Sequence, residues 1–349
     1  MMKVFAVTHR GLEAICAEEI AELPTVIVSQ VTYRCVFAGV ESLPPLLNLR
    51  TADDIFLHLD TWKSIETTRT ALAQFTELAS KLPLQESLRQ LYQVRQLGYP
   101  PAFSVTVNFV GKRNYSTNEI KTAIASGISQ QNKRWRYSLE DHECDINIRV
   151  FIEHSQAFVG LRIPKSPLGK RPYKLLHLPG SLSPPVAASM VRLATDGHNG
   201  GYILDPCCGA GTILIEAALM GCSVLGGDLD VQALASASRN MRSAGLSFPL
   251  SRWDALNLPL PDHSVAGILS NLPWGRQVTV EHSPALFYRS LCAELERVLS
   301  VNGVLVLLTT SPDLLSFTRL KINKQIEISL FGQTPTLLVL SQNTHHLIL

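Results

Sequence analysis

No uninterrupted apolar run in the 349-residue chain approaches the roughly 20 residues needed to span a bilayer. Charges enter the opening stretch MMKVFAVTHRGLEAICAEE too early for the apolar core of a secretory signal, so a cytosolic protein is expected. The seven cysteines, Cys16, Cys35, Cys144, Cys207, Cys208, Cys222 and Cys292, are odd in number and form no CxxC pair. Neither a disulfide framework nor a zinc site is expected, and no metal is called for. Internal repeats and low-complexity tracts are also missing. Acid is absent between Glu153 and Asp196, where Arg162, Lys165, Lys170, Arg171, Lys174 and Arg192 accumulate. Such a stripe either meets phosphates or is a solvated basic linker, and charge alone does not decide between them.

What is present fits two folded domains. Apolar residues make up 46% and charged residues only 17%, enough for two cores. The net charge of +2 conceals a split, with 21 Lys+Arg against 17 Asp+Glu in residues 1–177 and 10 against 12 in residues 178–349. The first half mixes short strands (VFAVT, TVIVS, FSVTVNFV, INIRVFIE) with amphipathic helices (LEAICAEEIAEL, NEIKTAIASGISQQNK), an α+β pattern. From about residue 180 the pattern becomes βα alternation through YILD, SVLGGD, AGILSN and GVLVLLT, which predicts a doubly wound parallel sheet. Six prolines and two glycines in 164–185 place the boundary there. The expected domains are residues 1–175 and 176–349.

The most specific stretch is YILDPCCGAGTILIEAAL, residues 202–219. An apolar strand ends in Asp205, a turn carrying Gly209 and Gly211 follows, and a helix opens at Thr212. The glycines let the backbone turn sharply and approach a ligand closely. The turn lacks the GxGxxG spacing of a dinucleotide site, and Asp205 sits where pyrophosphate would be repelled. A cationic ligand fits better, and S-adenosylmethionine carries both an ammonium and a sulfonium. Some twenty residues on, SVLGGD ends in Asp228, where a carboxylate can accept both ribose hydroxyl protons. Asp230 reads as a helix N-cap. Asp254 could accept the adenine amino group or simply be a loop carboxylate. The candidate cofactor residues are Asp205, Pro206, Cys208, Gly209, Gly211, Thr212, Asp228, Leu229 and Asp254. Cys207 and Cys208 are taken as small space-filling residues, and His177 needs no chemical role.

After the strand SVAGIL comes SNLPWG, residues 270–275. An amine attached to a nucleobase is a poor nucleophile because its lone pair is delocalised into the ring. The Asn271 side-chain oxygen and the Leu272 backbone carbonyl can each accept one amino proton, localising the lone pair and aiming it. Pro273 would stiffen the turn, and Trp274 offers a face on which a base can stack.

DPCCGAGT, GGDLD and SNLPWG, in this order, resemble the amino-methylating S-adenosylmethionine-dependent methyltransferases, with Leu272 standing where the first proline of their motif usually lies. The NLPW form resembles the branch acting on guanosine N2 of RNA. THRGLEAICAEEI, FSVTVNFVGKRNYSTNEIKTAIASGI and RPYKLLHLPGSLSPPVAASMVRLA resemble THUMP-containing RNA methyltransferases. The resemblance implies a ferredoxin-like and THUMP region ahead of a Rossmann-like class I methyltransferase domain. It also implies capture of the tRNA acceptor end, an N2-methylguanosine product, and a loop holding Leu182 and Ser183 over the cofactor's methionine end. Read directly, GKRNYS (Lys112, Arg113) and NKRWRY (Lys133, Arg134, Arg136) interleave bases with aromatics, suiting RNA backbone contact and stacking or, equally, an exposed hairpin or helix end. With Lys165, Lys170 and Arg171 of the basic stripe these are the candidate RNA contacts. Two other readings stay open: a methyltransferase of ribosomal or other structured RNA, and a non-catalytic RNA-binding protein with a relic cofactor fold. The sequence says nothing of an activating subunit.

Overall fold

The computed structural model describes residues 1–195, 200–273, 284–330 and 332–342. The chain divides into two compact units, one of Met1–Thr8 and Cys16–Leu168, the other of His9–Ile15 and Gly169–Leu349. The division after Leu168 falls inside the proline-rich stretch. The membership of His9–Ile15 in the second unit has no counterpart in the sequence pattern. Among the described residues no helix is long and apolar enough to cross a membrane.

The first unit is α+β. Its strands are β1 (Met2–Val7), β2 (Val26–Thr32), β3 (Cys35–Val40), β4 (Asp54–Trp62), β5 (Ala102–Val110), β6 (Arg136–Tyr137), β7 (Ile146–Glu153) and β8 (Gln156–Arg162). They form one sheet in the order β2-β3-β1-β4-β8-β7-β5-β6. The antiparallel β4–β8 pairing, Phe56 opposite Arg162 through Trp62 opposite Ala157, makes the ladder continuous. Helices α1 (Glu13–Ala21), α2 (Ala71–Ala79), α3 (Leu84–Leu91) and α4 (Thr117–Gln131) supply Cys16, Phe75, Leu88 and Ile124 to a common core. Helix α4 starts on a capping box in which Ser116 and Glu119 satisfy each other's backbone N–H groups. The buried Arg162 joins Asp54 (2.7 Å) to Asp141 (2.5 Å).

The second unit holds α5 (Pro184–Thr195), β9 (Tyr202–Asp205), α6 (Thr212–Leu219), β10 (Ser223–Asp228), α7 (Val231–Ser243), β11 (Leu250–Arg252), β12 (Val265–Asn271), α8 (Pro284–Val298), β13 (Leu299–Thr309), β14 (Lys321–Glu327) and β15 (Thr336–Ser341). The sheet order is β11-β10-β9-β12-β13-β15-β14. Strands β11 to β13 pair in parallel, and β15 and β14 run antiparallel at one end. This is the Rossmann-like architecture expected, with the antiparallel end as an addition. The strand order reverses between β9 and β12, and a crevice opens at the carboxyl ends there. Gly226 and Gly227 prepare that crevice, since a Cβ on Gly226 would collide with Leu214 of α6 and one on Gly227 with Trp253. The N-terminal segment is built into this unit, with Leu12 and Ile15 packed among Leu182, Val186, Val339 and Ile328.

Candidate active site

At the switch point the carboxyl ends of β9, β10 and β12 surround a cavity of about 750 Å³. Its wall includes Asp205, Asp228, Asp230 and Asp254, with no Lys, Arg or His among the described lining residues. Of the sequence-predicted cofactor residues, Pro206, Cys208, Gly209, Thr212, Leu229 and Leu182 join these acids at the wall. Gly211 lies just behind it as the left-handed residue (φ 78°) that starts α6, and Ser183 turns elsewhere.

Asp205 is buried, and its Oδ1 accepts from the Ser270 hydroxyl at 3.0 Å and the Cys207 N–H at 3.2 Å. Burial pushes its carboxyl up to about 7, against the opposing pull of the Ser270 hydrogen bond. Asp228 is half-buried, with Oδ2 accepting the Gly209 N–H at 2.9 Å and Oδ1 the Asp230 N–H at 3.0 Å. The carboxylate thus fixes the glycine turn while facing the cavity. Gly209 has φ 51°, and a Cβ there would meet nothing, so the turn presents bare backbone to the cavity. Asp230 caps α7 by accepting the Gln232 N–H at 2.8 Å. Asp254 is exposed and accepts the Leu256 N–H at 2.9 Å. Burial and the neighbouring carboxylates push the Cys207 and Cys208 thiols up, leaving both protonated and poor nucleophiles.

Asn271 ends β12. Its Nδ2 donates to the Gly180 carbonyl at 3.2 Å, and its buried Oδ1 has no hydrogen-bond partner among the described residues. A buried acceptor left open costs about 1–3 kcal/mol, so a donor is expected to fill it. The departure at Leu272 has a structural reason, because its N–H donates to the Leu308 carbonyl at 3.0 Å and extends the β12–β13 ladder. A proline cannot make that bond. The Pro273 carbonyl accepts from the Tyr288 hydroxyl at 3.0 Å. Trp274 lies outside the described residues.

Several residues that shape the site left no motif. Trp253 donates from Nε1 to the Pro206 carbonyl at 3.0 Å. The buried Asn240 of α7 accepts the Leu176 N–H at 2.9 Å and donates to the Leu176 and Ala210 carbonyls, both at 3.0 Å. One signal was available for it, since Asn240 is a polar residue on the stripe of Ala233, Ala237 and Met241 that α7 buries. Lys174 donates from Nζ to the Leu182 carbonyl.

The basic candidates divide. Lys112, Lys133, Arg134, Arg136, Lys165 and Lys170 are exposed. The guanidinium of Arg113 is committed instead to the carbonyls of His154 and Glu66 and the Tyr115 hydroxyl. Arg171, with a side chain 10% exposed, pairs with the fully buried Glu216 at 3.2 Å. Burial beside a carboxylate takes Arg171 out of reach of a phosphate, and Arg113 spends its donors on protein acceptors. The aromatics of the two basic clusters also point inward, with Tyr115 bonded to Glu66 and Trp135 packed edge-on against Phe103. They belong to the core and offer no stacking face.

A glycine turn after the first strand of a 3-2-1-4-5-7-6 sheet, an acid closing the second strand and an amide closing the fourth define an S-adenosylmethionine-dependent class I methyltransferase domain. Residues 171–337 match the UPF0020 family model, described as an RMKL-like methyltransferase domain, and residues 83–162 match the THUMP domain model. The chain thus carries a THUMP domain and an RMKL-like methyltransferase domain. It is 29% identical over 218 residues to the tRNA (guanine(6)-N2)-methyltransferase of Thermus thermophilus, covering 61% of this chain and 64% of that protein. It is 35% identical over 168 residues to the mouse U6 snRNA (guanine-N(2))-methyltransferase THUMPD2, covering 46% of this chain and 30% of that one. The chain thus spans between about a third and two thirds of the length of these relatives. The crystal structure of TrmN from Thermus thermophilus superposes with a TM-score of 0.79 at 26% identity, covering 98% of this chain and 100% of that one.

Proposed function

We propose that the chain is an S-adenosylmethionine-dependent RNA guanine-N2-methyltransferase that acts on tRNA in the acceptor stem. The observation that carries this reading is the buried Oδ1 of Asn271, without a hydrogen-bond partner among the described residues, at the edge of an acid-walled cavity. The residues present suit the cofactor. Asp228 would hold the ribose hydroxyls, Asp205 the ammonium group, directly or through water, and Asp254 the adenine amino group. The open face of Gly209 allows close approach of a ligand to the backbone. S-adenosylmethionine, when bound, supplies a sulfonium-activated methyl group. The protein's part is positioning. Asn271 Oδ1 accepts one proton of the guanine amino group and the Leu272 carbonyl the other, which localises the nitrogen lone pair and directs it into the cavity. No strong base is required, and Asn271 acts as an acceptor throughout. Trp274 is assigned the stacking face for the extruded base. The exposed Lys112, Lys133, Arg134, Arg136, Lys165 and Lys170 would meet phosphates and set register without reading sequence. A cytoplasmic site of action fits a tRNA substrate.

The names of the relatives favour a second substrate, a U6-type small nuclear RNA, for the same chemistry. The test is methylation of each RNA by the full chain, followed by digestion to nucleosides and mass spectrometry. N2-methylguanosine from one acceptor-stem position is expected. Methyl on adenine, or in the U6-type or ribosomal RNA but not in tRNA, would overturn the substrate assignment. Asn271→Ala should lower single-turnover methylation by about 2–4 kcal/mol of transition-state stabilisation while calorimetric cofactor affinity stays near wild type. Retained turnover would remove Asn271 from its role.

A further inference from the structure

We propose that His9 is a positioning residue for methyl transfer, acting through the loop of residues 178–183 on the orientation of the Asn271 amide. The inference rests on the reading of Asn271 given above. A carboxamide presents a donor at one end and an acceptor at the other, of nearly equal shape. The Gly180 carbonyl selects between the two orientations, because it accepts from Nδ2 at 3.2 Å, whereas the flipped amide would set two acceptors against each other with no proton between them. The loop therefore determines that Oδ1, and not the NH₂, is left to meet a substrate amine.

What holds the loop is correspondingly important. Internally it has the Leu178–Ser181 turn, with Ser181 N–H to the Leu178 carbonyl and Leu178 N–H to Ser181 Oγ, both 2.9 Å. Upstream, Asn240 clamps both backbone groups of Leu176. Downstream, Lys174 holds the Leu182 carbonyl, and Ser183 Oγ shares a 3.0 Å hydrogen bond with His9 Nε2. His9 comes from a well-anchored segment of the same unit. Leu12 and Ile15 are buried beside it, the Arg10 backbone carbonyl accepts the Ser329 N–H at 3.1 Å, and a Cβ on Gly11 would collide with the Glu327 carbonyl. The imidazole thus fixes the end of the loop from a rigid base. Ser183, expected over the cofactor, is engaged with His9 and does not reach the described cavity wall.

The test uses the full chain and a double-mutant cycle on tRNA methylation. His9→Ala and Ser183→Ala should each lower kcat about tenfold, the size expected for one lost part-buried hydrogen bond. The double variant should fall no further than either single one, and the cofactor Kd should change by less than about threefold. His9→Gln, which can place an amide N–H near the position of Nε2, should recover most of the loss. Hydrogen exchange of the amides in 180–183 should accelerate in His9→Ala while strands β9 to β13 stay protected, which also shows that the variant is folded. Additive losses, an unchanged kcat or unchanged exchange in 180–183 would overturn the proposal. A wild-type chain that methylates no RNA, with exchange in 180–183 still controlled by His9, would instead sink the guanosine reading and leave the His9 clamp standing.

Discussion

Asp205 combines burial with a place on the wall of the cavity, where the proposed cofactor's ammonium would lie. A carboxyl raised to about 7 from 3.8 keeps its proton in the folded chain where the unfolded chain has lost it. Its contribution to stability is therefore complete below about 3.8 and is lost as pH rises through about 7. A bound ammonium reverses that preference by favouring the carboxylate. Cofactor affinity should rise with pH up to about 7, and binding at about pH 6 should expel close to one proton from this residue. Calorimetry in two buffers of different ionisation enthalpy would measure the release, and Asp205→Asn should abolish that share of it. An identical proton count in wild type and variant would mean that the ammonium lies elsewhere. Asp205, Asp228 and the glycines were legible because each ends a strand or forms a turn, where residue type and position carry meaning without tertiary context. Asn240, Tyr288 and Trp253 were not, since a buried polar contact made across the fold leaves no local spacing.

Among the elements, β12 delivers Asn271 and Leu272, the proposed acceptor pair, to the site. Its ladder to β13 runs past Asn271 through the Leu272 N–H, so backbone pairing holds the Leu272 carbonyl here, where the usual motif relies on a proline ring. Leu272→Pro should strand the buried Leu308 carbonyl and cost about 1–3 kcal/mol in a denaturant titration, with turnover falling as well. Wild-type stability and turnover in that variant would show that the ladder bond is dispensable. The parallel strands β9, β10 and β12 were readable from apolar runs ending in acids or an amide. β14, KINKQIE, mixes exposed and half-buried positions without regular alternation, so nothing in it announces an antiparallel sheet end. In the first unit β1, β2, β5, β7, α1 and α4 were equally plain, while β3, β4, β6, β8, α2, α3 and the sidedness of Trp135 and Tyr115 were not. A base beside an aromatic looks the same whether the ring faces RNA or a core.

Taken whole, the molecule interleaves its two units along the chain. Leu12 and Ile15, at 0% and 1% exposure, belong to the core of the methyltransferase unit. Leu12→Ala should cost about 2–5 kcal/mol and raise hydrogen exchange in α5 and β15, far along the chain from the substitution. If only residues near 12 responded, the segment would be peripheral to that core. A fragment beginning near residue 178 would lack this segment as well as Arg171, Tyr173 and Lys174, and should bind cofactor poorly for want of scaffold. No periodicity could have revealed the arrangement, because Leu12 and Ile15 read as ordinary apolar positions at the start of a helix.

The same interleaving imposes a schedule on synthesis. The α5 and β15 residues that His9–Ile15 packs against emerge from the ribosome about 170 to 320 residues after it, roughly 10–60 s at ordinary elongation rates. Over that interval Leu12 and Ile15 wait without their partners. The methyltransferase unit can close only after β15 has been made, so its first and last parts to be translated must meet for it to finish folding.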